Sequence, residues 1–335
     1  MNKVTRTASE LVTDTKFKTV PELCNISVTQ QKIFFKRQAT PMKSLELTAS
    51  DDLKLSTVIF EATSASTTAL IQIIHGAQEH KGRYYELAEF LKNHGYIVIL
   101  SDIRGHGESI SRDIPQGCMD SLEQVIADQK LISDTIKSLY PGKPLYLYGH
   151  SLGSLFARCY LQAHDNEIEK LILSGTVDYR SNVKAGVLLT RLFTFISGKH
   201  GHSRLLDHLL GINGKDDSWV SVNVNNREKR RSDPHFFTSY ENAGSMTIAT
   251  SNLYQRDFAK FKCQNPNLKI LSITGEHDPI TGGPRGLEGS MKALVKAGYK
   301  NIESKVYKGL RHEVIHEDES EKQKVFADLL AFING

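Results

Sequence analysis

Leu145-Tyr-Leu-Tyr-Gly149-His150-Ser151-Leu152-Gly153 is the stretch that decides how this 335-residue chain folds. The apolar run Leu145–Tyr148 is typical of a buried strand, and the run Leu155–Ala163 is typical of a helix. A serine with glycine two residues before and two residues after it marks a tight strand-to-helix turn, because glycine tolerates the close backbone approach. The pattern predicts that Ser151 is a nucleophile presented at the end of a strand.

Strand-like and helix-like segments alternate on both sides of this turn. Further strand-like runs are Ala69–Ile74, Tyr96–Leu100, Leu171–Ser174, Lys269–Ile273 and Ile302–Tyr307, and helix-like runs are Tyr84–Asn93, Ser121–Leu139, Gly286–Ala297 and Glu319–Ile333. This βαβ alternation predicts an α/β protein whose mostly parallel central sheet is flanked by helices on both faces. Two more strands are expected ahead of the alternation, at Leu45–Leu47 and Leu53–Glu61.

The alternation breaks between residues 177 and 253, which are polar and irregular apart from helix-like pieces at Val187–Ile196 and Ser203–Leu210. We interpret this stretch as a helical cap inserted after the sixth strand. The predicted core is then residues 42–176 and 254–335. Residues 1–41 are predicted to form an N-terminal extension with one candidate edge strand, Lys32–Lys36.

A serine hydroxyl needs a base to take its proton, and the base needs a third group to orient it. The two late strands are followed by Gly275-Glu276-His277-Asp278-Pro279 and by Gly309-Leu310-Arg311-His312-Glu313. We assign Asp278 as the acid, with Glu276 as its nearest competitor. We assign His312 as the base, with His316 as its rival, which is expected to start the terminal helix.

The tetrahedral intermediate of acyl transfer also needs two N–H donors for its oxyanion. One is expected from Leu152, the residue after the nucleophile, at the positive end of the following helix. The other is expected from Ala77, in the His75-Gly76-Ala77-Gln78 loop after the first parallel strand. We expect the other histidines near strand ends, His80, His106 and His150, to shape loops rather than to catalyse.

Composition excludes several classes of partner. The net charge of +4 is small and dispersed, which argues against a nucleic-acid partner. The four cysteines, at positions 24, 118, 159 and 263, form no CxxC pair and show no metal-ligand spacing. We therefore expect neither a metal site nor a cofactor, and free thiols in a reducing compartment.

Residues 1–23 contain no apolar segment of the kind that forms a secretory signal, and no uncharged apolar run approaches 18 residues. We therefore expect a cytoplasmic protein. The basic run Arg227–Arg231 suits either a solvated face of a cap helix, which we favour, or a contact with anionic lipid at a membrane surface.

Taken together, the motifs resemble those of the monoacylglycerol lipase and lysophospholipase branch of the α/β-hydrolases, a group also called serine-aminopeptidase-like. The matching segments are His75-Gly-Ala-Gln-Glu-His80 with Gly82-Arg83-Tyr84, Asp102-Ile-Arg-Gly-His-Gly-Glu-Ser109, Gly149-His-Ser-Leu-Gly153, Gly275-Glu-His-Asp278-Pro279 and Arg311-His-Glu313. Ser218-Trp219-Val220 and Ser232-Asp233-Pro234 match less clearly. The resemblance runs from about residue 42 to the C-terminus.

The resemblance implies an α/β-hydrolase fold and a serine esterase that cleaves single-chain lipid esters through an acyl-enzyme. By matching position it implies the triad Ser151, Asp278 and His312, the oxyanion donors Ala77 and Leu152, and a cap that forms an apolar tunnel over the serine.

Other functions stay open at this point. The same triad could serve a short-chain carboxylesterase, a thioesterase or an aminopeptidase. An aminopeptidase would need a cap carboxylate such as Glu228 or Glu241 to hold the substrate's amine. A non-enzymatic ligand-binding protein could also use the fold. The sequence does not define the acyl length, the head group or the oligomeric state.

Overall fold

An eight-stranded sheet runs through the described residues of the computed structural model, which are 42–63, 67–210 and 216–335. Its strands are Lys43–Thr48 (β1), Lys54–Phe60 (β2), Ala69–Ile74 (β3), Tyr96–Ser101 (β4), Leu145–His150 (β5), Lys170–Ser174 (β6), Lys269–Gly275 (β7) and Asn301–Tyr307 (β8). They lie in the order β1-β2-β4-β3-β5-β6-β7-β8. Strands β1 and β2 are antiparallel to their neighbours, and β3 to β8 are parallel, which confirms the predicted sheet. The predicted extension 1–41, with its candidate strand Lys32–Lys36, lies outside the described residues.

Nine α-helices lie within the same described ranges. They are Tyr85–Asn93 (α1), Leu122–Leu139 (α2), Leu152–His164 (α3), Val183–Ser197 (α4), Arg204–Leu210 (α5), Val224–Ser232 (α6), Asn242–Tyr254 (α7), Gly283–Ala297 (α8) and Glu319–Asn334 (α9). The start of α2 follows from its sequence, since the Ser121 hydroxyl accepts a hydrogen bond from the Gln124 N–H and caps the helix. No helix in these ranges combines the length and the apolar character needed to cross a bilayer.

Both faces of the sheet are buried at its central strands β3 to β6, as their apolar sequences predicted, whereas the edge strands β1 and β8 are largely exposed. Successive strand residues point to opposite faces. Leu70 and Ile74 of β3 pack in the layer that contains α2, α3 and α8, while Ile71 and Ile73 pack in the layer that contains α1 and α9. The strand β3 is therefore apolar throughout its length and is fully buried. This rigid centre fixes the positions of the loops at the carboxyl ends of the strands.

Four helices, α4 to α7, lie between β6 and β7. The sequence predicted α4 and α5 approximately. The other residues between 177 and 253 were expected to be irregular, and this was wrong for α7. Small and polar residues such as Ala243, Gly244 and Ser245 make up much of α7, and they are buried. Because small residues bury a helix without producing an apolar stripe, the periodicity that identifies a helix is missing.

Candidate active site

Ser151 occupies the sharp turn between β5 and α3. Its backbone has φ 50° and ψ −117°, a conformation that non-glycine residues rarely adopt. The turn is held by the Ser151 N–H, which donates to the Ser174 carbonyl oxygen at 2.8 Å, and by the Ser154 N–H, which donates to the Ser151 carbonyl oxygen at 2.8 Å. Such strain is characteristic of functional positions.

The two glycines that flank Ser151 are required by close backbone contacts. A Cβ atom on Gly149 would lie 2.4 Å from the Gly153 carbonyl oxygen. A Cβ atom on Gly153 would lie 2.3 Å from the Ile74 carbonyl oxygen of the neighbouring strand β3. These distances explain why the serine is flanked by glycine on both sides in the sequence.

His312 and Asp278 form a buried, hydrogen-bonded pair at the ends of β8 and β7. His312 Nδ1 lies 2.9 Å from Asp278 Oδ2. Burial disfavours the charged form of each group, but the interaction between the two groups outweighs this effect. The charge and hydrogen bond of Asp278 raise the pKa of His312 above its usual value. In turn, the charge and hydrogen bond of His312 hold the pKa of Asp278 well below its usual value, against the effect of burial.

Ser151 and His312 line the same cavity. His312 Nε2 is buried and has no hydrogen-bond partner among the described residues. The His312 ring packs against the rings of His150, at a centroid distance of 4.8 Å, and Trp219, at 5.3 Å. The imidazole therefore has one nitrogen held by Asp278, and the other is available to accept a proton.

The two rival residues lie elsewhere. The Glu276 side chain is 45% exposed and accepts a hydrogen bond from the Gly309 N–H at 2.9 Å. His316 is half-buried and ends a 3₁₀ turn, Val314–His316, so the expectation that it starts the terminal helix was wrong. Its ring packs against Tyr84, and burial lowers the pKa of His316 to about 4. Neither Glu276 nor His316 lines the cavity of Ser151.

Ala77 and Leu152, the predicted oxyanion donors, both line this cavity. Leu152 is the first residue of α3, so its N–H has no carbonyl partner within the helix. The loop of Ala77 is braced by Glu79, whose Oε1 accepts hydrogen bonds from the Gly76 N–H at 2.5 Å and the Tyr84 hydroxyl at 2.6 Å. The loop therefore has a fixed backbone beside Ser151.

A buried guanidinium joins this loop to the loop of His312. The Arg83 side chain donates to both carboxylate oxygens of Glu313, at 3.0 and 2.6 Å, and lies 3.1 Å from Glu79 Oε2. Burial alone would raise the pKa of Glu79, but the charge of Arg83 lowers it to about 2. The sequence reasoning assigned no role to these three residues, although each stands inside one of the quoted motifs.

The basic run on α6 divides between the cavity and the surface. Arg230 lines the cavity, where it donates to Gln78 Oε1 at 3.2 Å and its guanidinium lies 4.5 Å from the centre of the Phe236 ring. The neighbouring Arg231 is exposed and pairs with Asp217 at 2.8 Å. The expectation of a wholly solvated basic face was therefore wrong for Arg230.

The remaining histidines have structural contacts. His106 lies 2.8 Å from the Tyr240 hydroxyl, and burial lowers the pKa of His106 to about 3. His80 pairs with Asp233 at 2.9 Å. His150 lies 3.2 Å from the Ser174 hydroxyl and, unlike the other two, lines the cavity.

The carboxylates considered for binding an amine lie outside the cavity. Glu228 is exposed on α6, and Glu241 is buried against His200. The carboxylates that do line the cavity are Glu79 and Glu313, and both are already held by Arg83. This arrangement gives an aminopeptidase no support.

Several proteins are similar to this chain over most of its length. It is 27% identical to a monoglyceride lipase homolog of monkeypox virus over 270 residues, which cover 79% of this chain and 89% of the relative. It is 24% identical to a probable lysophospholipase L2 of Haemophilus influenzae over 302 residues, which cover 86% and 91%. The structure superimposes on a thermostable carboxyl esterase of Bacillus coagulans with a TM-score of 0.78, at 22% identity, covering 88% of this chain and 99% of the esterase. The fold is thus that of the α/β-hydrolases, and since the profile of the family described as serine aminopeptidase, S33, matches residues 65–319, the chain belongs to that family.

Proposed function

We propose that this protein is a serine hydrolase that cleaves carboxylic esters of single-chain lipids through an acyl-enzyme on Ser151. The observation that carries the proposal is the buried His312–Asp278 pair, which shares one cavity with a serine held at φ 50°. A strained serine beside an oriented imidazole is the arrangement that activates a hydroxyl for attack on an ester. The relatives named above, a monoglyceride lipase homolog and a probable lysophospholipase, support the same class of reaction.

In the proposed reaction, His312 Nε2 takes the Ser151 proton while the serine oxygen attacks the ester carbonyl carbon. The Ala77 and Leu152 N–H groups stabilise the oxyanion, and Asp278 stabilises the imidazolium that forms. The imidazolium then gives its proton to the leaving alcohol, and the C–O bond of the ester breaks. A water molecule, deprotonated by His312, releases the fatty acid from Ser151 in a second tetrahedral step.

The cavity supports an ester with one long apolar chain. Its empty space, counted together with the open mouth, is about 1300 Å³. The apolar side chains that line it include Leu155, Val177, Val183, Leu189, Leu209, Leu210 and Ile248. Its polar lining includes Gln78 and Arg230. We propose that the acyl chain packs against the apolar side chains and that the alcohol contacts the polar ones.

We propose that residues 177–253 act as the cap of this cavity. The four helices described in this segment all contribute lining residues: Leu189 comes from α4, Leu209 from α5, Arg230 from α6 and Ile248 from α7. These helices enclose the space above Ser151, so they determine which acyl chains fit. The segment is therefore the place to look for differences in substrate preference.

We further propose that the cap contacts a lipid surface. On α4, Leu188, Leu192, Phe195 and Ile196 follow the spacing of one helix face and are 52–89% exposed. An exposed apolar face of this kind marks an interaction site. Leu189 on the same helix lines the cavity, so a lipid bound at this face would lie close to the substrate site. The exposed cations Lys184 and Arg191 favour anionic lipid.

The lipid contact is tested by sedimentation with vesicles of phosphatidylcholine, with and without phosphatidylglycerol. We expect Phe195→Asp to reduce binding, because it places a charge on the apolar face. Val306→Asp is the matched control, since Val306 is 51% exposed on the edge strand β8. Equal binding by the two variants would contradict the contact.

The hydrolase assignment is tested with a fluorophosphonate probe and a substrate panel. The wild-type protein should be labelled and should hydrolyse monoacylglycerols or lysophospholipids faster than short nitrophenyl esters or aminoacyl amides. Ser151→Ala should abolish both labelling and turnover. Equal labelling of the wild type and Ser151→Ala, or no labelling of either, would favour a binding protein instead.

A further inference from the structure

Away from the cavity, three potential metal ligands from distant parts of the sequence meet. The thiol of Cys118, the imidazole of His200 and the carboxylate of Glu241 have ligand atoms that all lie within 4.8 Å of one another. Cys118 precedes α2 in the core, His200 lies between α4 and α5, and Glu241 is the N-cap of α7. The sequence predicted no metal site because no local spacing connects these residues.

The backbone around the cluster is fixed by hydrogen bonds. The Glu241 N–H donates to the Gly117 carbonyl oxygen at 3.3 Å, beside Cys118. The Asn242 N–H donates to the Gly201 carbonyl oxygen at 2.7 Å, beside His200. These two hydrogen bonds join the start of α7 both to the segment of Cys118 and to the segment of His200. The three segments hold the side chains together without a metal ion.

The charge balance of the cluster favours a cation. Glu241 is 5% exposed, and its Oε2 lies 2.7 Å from Nδ1 of His200, an imidazole that is not a permanent cation. Buried carboxylates are normally paired with a full positive charge or coordinate a metal. The nearby cation Lys199 is already paired with Asp120 at 3.2 Å. Cys118 is fully buried, and its thiol sulfur lies within 4.8 Å of a carboxylate oxygen of Glu241.

We propose that Cys118, His200 and Glu241 bind a divalent zinc ion. One sulfur, one nitrogen and one oxygen ligand suit Zn²⁺, which forms bonds of about 2.0–2.3 Å to these atoms in tetrahedral sites. Ligand atoms in such a site lie closer together than 4.8 Å, so small side-chain rotations are required. Since His200 is exposed, water can reach the fourth position.

Binding would convert the Cys118 thiol to a thiolate, and the thiol proton would pass to solvent. The ion would then connect the loop before α2 to the N-terminus of α7. Because α7 also lines the cavity, through Ile248 and Ala249, the site would tie part of the proposed cap to the core.

The inference is tested by titrating the full-length, metal-free protein with Co²⁺, which replaces zinc and reports on its ligands by absorption. We expect a saturable thiolate-to-cobalt charge-transfer band that added Zn²⁺ removes. His200→Gln and Cys118→Ser should each weaken binding at least tenfold, and Cys118→Ser should remove the charge-transfer band. His202→Gln, Cys159→Ser and Cys24→Ser are the matched controls and should leave the titration unchanged.

Thermal unfolding supplies a second readout that requires no enzymatic activity. Zn²⁺ should raise the melting temperature of the wild type and of His202→Gln, and should raise that of His200→Gln less. Because His200 is exposed, its variant is expected to fold even if Cys118→Ser does not. Absence of both the band and the thermal shift in the wild type would overturn the site, as would retention of the band in Cys118→Ser.

Discussion

Replacing Asp278 by asparagine tests the proposed mechanism at the residue that orients the base. Asp278 Oδ1 accepts hydrogen bonds from the N–H groups of Ile280, at 2.8 Å, and Thr281, at 3.4 Å. Asparagine keeps these bonds only if its carbonyl oxygen takes that position, which places its NH₂ group opposite His312 Nδ1. An NH₂ group donates and does not accept. The imidazole would then carry its proton on Nε2 and could not take the proton of the serine.

The size of the effect follows from the tautomer. In a Ser-His-Asp protease, the same wrong tautomer costs about 10⁴ in kcat. At 1.36 kcal/mol per factor of ten, this is about 5.4 kcal/mol of transition-state stabilisation. The hydroxyls of Thr274 and Thr281 donate to Asp278 Oδ2 at 3.0 and 2.8 Å, and one of them can turn to accept the second N–H of the new NH₂ group. We therefore expect a large loss of turnover with little change in stability.

The assay is kcat for a nitrophenyl ester, with thermal unfolding measured in parallel. Glu276→Gln is the matched control, because Glu276 is the competing acid of the same loop and is exposed to solvent. It should keep kcat within about twofold of the wild type, since surface substitutions rarely disturb a structure. The reasoning is refuted if Asp278→Asn keeps more than a tenth of the wild-type kcat, or if Glu276→Gln loses as much activity.

Three further predictions concern pH, packing and strain. His312 must be neutral to act as a base, and Asp278 raises its pKa against the effect of burial. The value of kcat/KM should therefore fall towards acid pH with a midpoint above about 6.5. A midpoint well below that value would contradict the assignment. Gly153→Ala should lower the free energy of unfolding in urea by roughly 1–3 kcal/mol, because its Cβ would lie 2.3 Å from a carbonyl oxygen. Gly289→Ala is the control and should not lower it, because the Cβ there would make only an ordinary contact at 3.6 Å. Ser151→Gly should be at least as stable as Ser151→Ala, because glycine relieves the strain at φ 50°. If the glycine variant is instead less stable than the alanine variant by the usual amount of about 0.5–1 kcal/mol, the turn is not strained.

The sheet and the positions of the three proposed catalytic residues could be predicted because both depend on local sequence. Buried parallel strands are apolar throughout, so they stand out from their surroundings. Ser151 and Asp278 each follow such a strand, namely β5 and β7, whereas His312 follows β8, an edge strand that is mostly exposed. The carboxyl ends of parallel strands lie at one edge of the sheet, so order along the chain was enough to bring the three side chains to one place.

Contacts between distant segments could not be predicted in this way. Arg83 and Glu313 belong to separate loops, and no periodicity connects them. The same holds for Cys118 and Glu241, which meet because the segments before α2 and α7 pack side by side. Arg230 could not be told from the exposed Arg231, because only the packing of α6 on the cavity decides which of the two is buried.

The ion pairs around Arg83 are better explained as a means of positioning the catalytic loops than as a contribution to the stability of the fold. Buried ion pairs contribute little stability, since desolvation cancels most of their attraction, and apolar replacements are often as stable. However, apolar contacts leave direction loosely defined, whereas a guanidinium bound to two carboxylates fixes both distance and angle. Arg83 does not line the cavity, yet it holds Glu79 beneath the loop of Ala77 and Glu313 next to His312. We infer that the Arg83 side chain fixes the position of the Ala77 loop relative to His312. Its loss should therefore disturb the geometry of the catalytic site at a smaller cost in stability than is needed to unfold the sheet.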